Sequence, residues 1–254
     1  MYRQNRIVKS PLLIIIKEAE ARMFVHLKTK TIYSLLEGAI FAKALADRCS
    51  EFKMPAVGIA DRANLFGALE FSEVLSDNGI QPVIGCQLSL SAREVNLKKL
   101  SAADQLSMLF LAKNEIGYRN LMELSSKFFL NETYRSEGIS IREIDRFSDG
   151  LICLSGADES PINNLIRDNK SKEAVDLLTH FKRTFGNRFY IEINRHPLAD
   201  DFVKKKNLES DILDLADTHR VPLVATNDVY FLDKELYQPH DALLCIAEGS
   251  FVDQ

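Results

Sequence analysis

Tryptophan is absent from the 254 residues, and cysteine and histidine are scarce at 4 and 5. Cys49, Cys86, Cys153 and Cys245 are scattered, and none forms a C-x-x-C pair. That argues against a structural zinc site or a disulfide scaffold and for reduced thiols in a cytoplasmic protein. Long hydrophobic stretches are missing as well. The longest, Pro11 to Ile16, falls far short of the roughly 20 residues that a membrane span needs. Lys17-Glu18-Ala19-Glu20 follows it in place of a small-residue cleavage site, which speaks against a secretory signal. No excess of positive charge exists: 32 cationic against 36 anionic side chains leave −4. A free-standing nucleic-acid binder carries a basic field, so DNA contact has to be local or supplied by other parts of a larger protein. There is no G-x-S-x-G elbow and no G-x-x-x-x-G-K-[ST] phosphate loop, and neither an internal repeat nor a low-complexity tract.

What is present is ordinary for a folded chain, 46% apolar and 27% charged, and long enough for one large α/β domain or two ordinary ones. Short, nearly continuous apolar runs mark candidate strands at Phe24–Lys28, Ala56–Ala60, Pro82–Leu90, Ser107–Ala112, Leu151–Ser155, Phe189–Asn194 and Pro222–Thr226. Such runs are expected of strands covered on both faces. Helical patterns alternate with them. Phe41, Ala44, Leu45 and Cys49 share one helical face. Asn64 is a candidate N-cap before Leu65, Ala68 and Leu69. Leu208, Ile212, Leu215 and Ala216 follow the spacing of an amphipathic helix. The polar stretches 91–105 and 131–140 read as loops. About seven β-α alternations over this length predict a mostly parallel, closed or nearly closed barrel.

In such a barrel, function collects where strands end. That directs attention to Lys28 to Ser34, Asp61 to Asn64, Gln87, Gly156-Ala157 and Asn227 to Phe231. Ordinary caps and turns account for about half of positions like these. Ser107 is out of place, because it opens a strand.

These strand ends also carry a family pattern. Val25-His26-Leu27-Lys28-Thr29-Lys30-Thr31 resembles the opening of bacterial DNA polymerase III alpha subunits. Met54-Pro55-Ala56, Asp61-Arg62-Ala63-Asn64-Leu65-Phe66-Gly67-Ala68-Leu69-Glu70-Phe71 and Gln81-Pro82-Val83-Ile84-Gly85-Cys86 continue the likeness. So do Ala112-Lys113-Asn114-Glu115-Ile116-Gly117-Tyr118, Leu154-Ser155-Gly156, Val224-Ala225-Thr226-Asn227-Asp228 and His240-Asp241-Ala242-Leu243-Leu244. Each piece is weak alone; in this order they are specific. Leu65 to Phe71 and Ile84-Gly85-Cys86 are more similar to the replicative than to the error-prone branch. The resemblance implies an N-terminal PHP-type distorted barrel of mostly parallel strands surrounded by helices, over residues 23–254. Residues 1–22 are then an extension or a mis-called start, the second favoured because Met23 falls where family members begin. The family chain continues into palm, thumb and fingers, so this one is expected to be a fragment or a truncated product.

Active PHP domains resemble metal-dependent phosphoesterases, whose His, Asp, Glu and Cys ligands hold metal ions that polarise a phosphoryl oxygen and generate hydroxide. By this resemblance, the ligand positions fall on Lys28, Lys30, Glu37, Arg62, Gln87, Ser107, Ala157, Asp228 and Tyr230. Only Glu37 and Asp228 keep an anionic ligand. Charged lysine and arginine are donors only and cannot coordinate a cation. A degenerate site with no metal, no catalytic residue and no cofactor is therefore expected. Lys28, Lys30 and Arg62 would replace the ions by pairing with Glu37, Asp61 and Asp228; unrelated solvent-facing side chains are the plainer reading. His26 reads as a strand-end hydrogen-bonder, His196 as a polar residue at the mouth, His180 and His219 as surface residues, and His240 as a capping or packing group.

The implied function is a structural, partner-binding domain of a DNA-directed DNA polymerase. Its partners are the remainder of the alpha subunit, a proofreading exonuclease subunit, other replicase subunits and, through the parent protein, DNA. Mg²⁺ is expected only in the parent's palm. The alternatives are an active PHP phosphoesterase or 3′-5′ proofreading nuclease, and an anion binder in which Lys28, Lys30 and Arg62 hold a phosphate or DNA end.

Overall fold

The computed structural model describes residues 24–95, 97, 106–195 and 202–252, with backbone only for 202–207. The stretch 1–22 and His196 lie outside the described residues, as does most of 96–105. The strands are β1 (Lys28–Thr29), β2 (Ala56–Arg62), β3 (Gln81–Ser89), β4 (Ser107–Ala112), β5 (Leu151–Leu154), β6 (Phe189–Ile193), β7 (Leu223–Ala225) and β8 (Asp228–Val229). They form one sheet in the order β7-β6-β5-β4-β3-β2-β1-β8. All neighbours are parallel except β4, which runs antiparallel to both β3 and β5.

The sheet is rolled nearly shut. Its edges, β7 and β8, are consecutive in the chain and separated only by Thr226 and Asn227. Lys28 on β1 also reaches Glu192 on β6, far along the sheet order, at 3.2 Å. The fold is thus the mostly parallel, distorted α/β barrel that the alternating runs predict.

Nine helices, among the described residues, wrap the barrel: α1 (Ala42–Glu51), α2 (Ala68–Asp77), α3 (Glu115–Leu130), α4 (Glu132–Glu137), α5 (Ile141–Arg146), α6 (Pro161–Arg167), α7 (Ser171–Phe185), α8 (Phe202–Thr218) and α9 (Tyr237–Glu248). None is long and apolar enough to cross a membrane. Sequence fixes several starts. Asn114 accepts from the Gly117 amide at 3.0 Å to cap α3, and Ser160 with Pro161 opens α6.

Two apolar layers lie outside the sheet. Val57 and Ile59 pack with Leu45, Ala46 and Cys49 of α1 and Phe71 and Leu75 of α2. Cys86, Met108, Phe110, Cys153 and Ile191 face the helices beyond, including Leu121 of α3, Leu178 and Phe181 of α7, and Ile212 of α8. A third, smaller cluster of Ala60, Leu109, Leu111 and Leu154 fills the barrel itself. Strands with apolar groups on both sides explain why the runs do not alternate.

The structure corrects several local readings. The first strand covers Lys28–Thr29 rather than Phe24–Lys28, and Phe24 is 46% exposed, packed edge-on against His26. Residues 24–27 are exposed or half-buried, and the Gly58 amide of β2 donates to the His26 carbonyl at 2.6 Å just ahead of the assigned strand. The run at Pro222–Thr226 is followed by a further strand, β8, too short to show a pattern. On α1 the buried face is Ala42, Leu45, Ala46 and Cys49, while Phe41 is 62% exposed. Asn64 caps the turn before α2, accepting from the Phe66 amide at 3.1 Å, and the buried face is Ala68, Phe71 and Leu75, not Leu69. The stretch 131–140 contains α4, capped by Asn131. With no fully buried residue, that helix offers no apolar period to read.

Candidate functional site

The site follows from strand alternation. Successive side chains point to opposite faces, so interior positions recur every second residue. Below, these are the apolar Ala60, Leu109 and Leu154 and the partly buried Tyr190 and Val224. The next position toward the mouth is polar or small: Arg62 after Ala60, Glu192 after Tyr190, Gly156 after Leu154 and Thr226 after Val224. β4 reverses the rule because it is antiparallel. Its first residue, Ser107, pairs with Ser89 at the end of β3, so its start lies at the mouth. That is why Ser107 opens a strand and still joins the site.

Two ion-paired groups fill the mouth. In the first, Lys28 Nζ lies 3.2 Å from Glu192 Oε1 and 3.0 Å from Asp228 Oδ1. Glu192 also accepts from Thr226 Oγ1 at 2.6 Å and from the Gly156 amide at 3.0 Å. Asp228 Oδ2 accepts from Asn194 Nδ2 at 2.8 Å. Burial alone would lower the Lys28 ammonium, but the Glu192 and Asp228 carboxylates outweigh it and hold it above the ordinary lysine range.

In the second group, Arg62 Nε donates to Glu37 Oε1 at 2.6 Å, and its two terminal nitrogens donate to Glu159 at 3.3 and 3.2 Å. Burial opposes the guanidinium charge, and Glu159 and Glu37 more than offset it. Glu159 also accepts from Gln87 Nε2 at 2.7 Å and from Ser107 Oγ. Burial pushes that carboxyl up, yet Arg62 and the Ser107 bond bring it below its usual value.

Lys30 stands between the two. It is fully buried and donates to the Ala60 carbonyl at 2.5 Å and to Gln87 Oε1. Neither acceptor is a carboxylate. Burial, with Arg62 and Lys28 nearby, lowers its pKa to about 8. Asp61 holds no cation either; it accepts from the Thr31 amide and hydroxyl, both at 2.7 Å, and from Ser34 Oγ at 2.6 Å. Its role is to tie the chain after β1 to the end of β2. Ala157 sits at φ +47° directly after Gly156, and its carbonyl accepts from Asn163 Nδ2 at 2.7 Å. Burial and the Asp228 carboxylate raise Tyr230 to about 12. His240 is buried and donates Nε2–H to the Glu37 carbonyl at 2.7 Å.

The sequence profile of the PHP domain matches residues 26–196, the segment that builds most of this mouth. The chain belongs to the PHP domain family. It is 44% identical over 238 residues to the DNA polymerase III subunit alpha of Caulobacter vibrioides, covering 93% of this chain and 20% of that protein. To the subunit of the same name from Borreliella burgdorferi it is 33% identical over 229 residues, covering 89% and 20%. The Rickettsia bellii subunit is 34% identical over 227 residues, covering 89% and 18%. The chain therefore spans about a fifth of the length of the curated relatives it matches. Among solved structures it resembles a putative metal-dependent phosphoesterase from Bifidobacterium adolescentis, with 10% identity, a TM-score of 0.41 and coverage of 82% of this chain and 87% of that one.

Among the described residues, no three His, Cys, Asp or Glu side chains group as metal ligands. The Lys28 ammonium lies between Glu192 and Asp228, where an ion would need their lone pairs. Lys28 and Arg62 pair with the carboxylates of Glu37, Glu159, Glu192 and Asp228, so that even with Lys30 charged the mouth carries one more negative than positive group. That excess does not favour holding a phosphate there.

The sequence reading missed Glu159 and Glu192. Glu192 had a signal, a carboxylate inside the apolar run Phe189-Tyr190-Ile191-Glu192-Ile193. Glu159 had none, because it lies in a short 3₁₀ turn after Gly156 whose direction only the fold defines.

Proposed function

We propose that this chain is the PHP domain of a DNA polymerase III alpha subunit, serving as a structural and partner-binding module whose phosphoesterase site is inactive. The observation that carries the reading is Lys28, a buried cation held between Glu192 and Asp228 at a position where the family resemblance calls for a metal-binding histidine. Interior ion pairs of this kind join β1, β6 and β8 across the barrel and engage the Glu192 and Asp228 carboxylates that a bound ion would need. In this reading nucleotide addition belongs to the rest of the alpha subunit, with Mg²⁺ bound there. The partners are that remainder, a proofreading exonuclease subunit and other replicase subunits, with DNA reached through the parent protein in the cytoplasm.

The test is an assay of the chain on single-stranded DNA and on a generic phosphomonoester, with Mn²⁺ or Zn²⁺ supplied. The expected result is no turnover above the metal-only background. Hydrolysis that EDTA abolishes would overturn the reading in favour of a working phosphoesterase.

A further inference from the structure

The rings of Phe66 and Phe129 stack at 6.1 Å between centroids, and both are open to solvent, 62% and 41% exposed. Phe66 lies in the turn between β2 and α2, and Phe129 in the last turn of α3. Leu69, three residues after Phe66, is 70% exposed. Met122 shares the outer face of α3 with Phe129, two turns earlier, and is exposed as well. Single exposed apolar side chains are ordinary, but a contiguous set marks a contact surface.

The backbone beneath the pair is held in place. Ala63 keeps a left-handed φ of +61°, a conformation that an alanine adopts only with support from its surroundings. Ser125 Oγ of α3 donates to the Ala63 carbonyl at 2.8 Å. The Asn64 side chain donates to the Tyr33 and Arg62 carbonyls at 2.9 and 3.0 Å and accepts from the Phe66 amide. Behind Phe129, the buried Phe128 packs edge-on at 5.5 Å. Rings presented on such a support lose little freedom when a partner covers them.

The free charge beside the rings has one sign. Residues 64–78 contain acidic side chains and no cation. The two cations of α3 are already ion-paired, Arg119 with Glu115 at 2.5 Å and Lys127 with Glu143 at 3.3 Å. Glu70 adjoins Leu69, Glu73 lies one turn beyond it on α2, and Glu123 adjoins Met122 on α3; all three are exposed. We propose that this surface docks a basic amphipathic segment of another protein. The segment's apolar side chains would cover Phe66, Phe129, Leu69 and Met122, and its lysines or arginines would lie beside Glu70, Glu73 and Glu123. The aromatic pair supplies the anchor, and the acidic rim selects the charge of the partner. Nucleic acid is disfavoured by the same rim, because its phosphates would meet carboxylates. Such a surface gives the partner-binding role proposed above a place on the fold, and it rests on that role alone, not on the state of the mouth.

The experiment follows the fluorescence anisotropy of a labelled helical peptide, with leucine on one face and lysine on the other, titrated with the full 254-residue chain. The peptide should bind, and more weakly as salt rises. Peptides with glutamate in place of lysine, or serine in place of leucine, should not. Phe66→Ala and Phe129→Ala should each weaken binding roughly tenfold or more. Glu73→Lys combined with Glu123→Lys should weaken it several-fold while altering only exposed positions. Phe52→Ala, which removes a similarly exposed ring at the opposite end of β2, should leave binding unchanged. Equal binding by all of these variants overturns the proposal, as does the absence of peptide binding. Self-association of the chain that Phe66→Ala abolishes, or single-stranded DNA binding that depends on Phe66, would assign the surface to a different occupant and overturn it too. The phosphomonoester assay above reads the mouth alone, so failure at one place is distinguishable from failure at the other.

Discussion

Lys28 Nζ lies 3.2 Å from Glu192 Oε1, and this pair joins the first and sixth strands through the interior of the barrel. Both side chains are almost wholly buried. Removing one partner of such a pair strands the other in a low-dielectric site, at a cost of about 3–5 kcal/mol. Lys28→Met and Glu192→Gln should each lower stability by that order in urea unfolding. Lys28→Met combined with Glu192→Gln should cost clearly less than the sum of the two single changes. Additive losses would mean that the pair is not coupled.

Lys30 makes a distinct pH prediction. Its folded pKa of about 8 lies below the ordinary lysine value of 10.5. Between those values the unfolded chain binds the additional proton, so this group raises stability as pH climbs from about 8 toward 10.5. Below pH 8 the buried charge is carried in full. Relative to Lys30→Met, the wild type should therefore gain on the order of 2 kcal/mol over that window. Parallel curves for the two proteins, in unfolding titrations at pH 7.5 and 10, would contradict the assignment.

Gly156 donates its amide to Glu192 at φ +101°, and a Cβ there would come 1.9 Å from the Ser107 carbonyl oxygen. Gly156→Ala should lower stability by several kcal/mol, roughly the sum of a left-handed strain and a forced shift of β4. Gly79 is the control: its φ of +70° is also left-handed, but nothing lies within 4 Å of the added carbon. Gly79→Ala should cost about 1 kcal/mol. Equal losses in thermal melts would show that the contact with β4 is unimportant.

The legible part of the fold was its long, doubly covered strands. The apolar runs at 56–60, 82–90, 107–112, 151–155 and 189–194 coincide closely with β2 to β6. The two shortest strands, β1 and β8, were not legible, because each contributes only two residues and owes its pairing to the closure of the barrel. Helix faces failed where one or two residues of phase decide burial, as on α1, where Phe41 is exposed and Ala42 is buried.

At the mouth, residue types pointed to the pairing of Lys28 with Asp228 and of Arg62 with Glu37, but not to Glu159 and Glu192 or to the partners of Lys30 and Asp61. Lys30 ends on a carbonyl and an amide because Gln87 is the inward side chain next to it on β3, and Asp61 faces away from the mouth toward Thr31 and Ser34. Such pairings depend on strand register and on the antiparallel turn of β4, which no local pattern encodes.

The central claim is that fixed protein charges hold the mouth together in place of divalent ions. Thermal melting of the chain with EDTA, and then with added Mn²⁺ or Zn²⁺, tests it most directly. The account predicts the same midpoint in all conditions. A fall of several degrees in EDTA that either metal restores would contradict it.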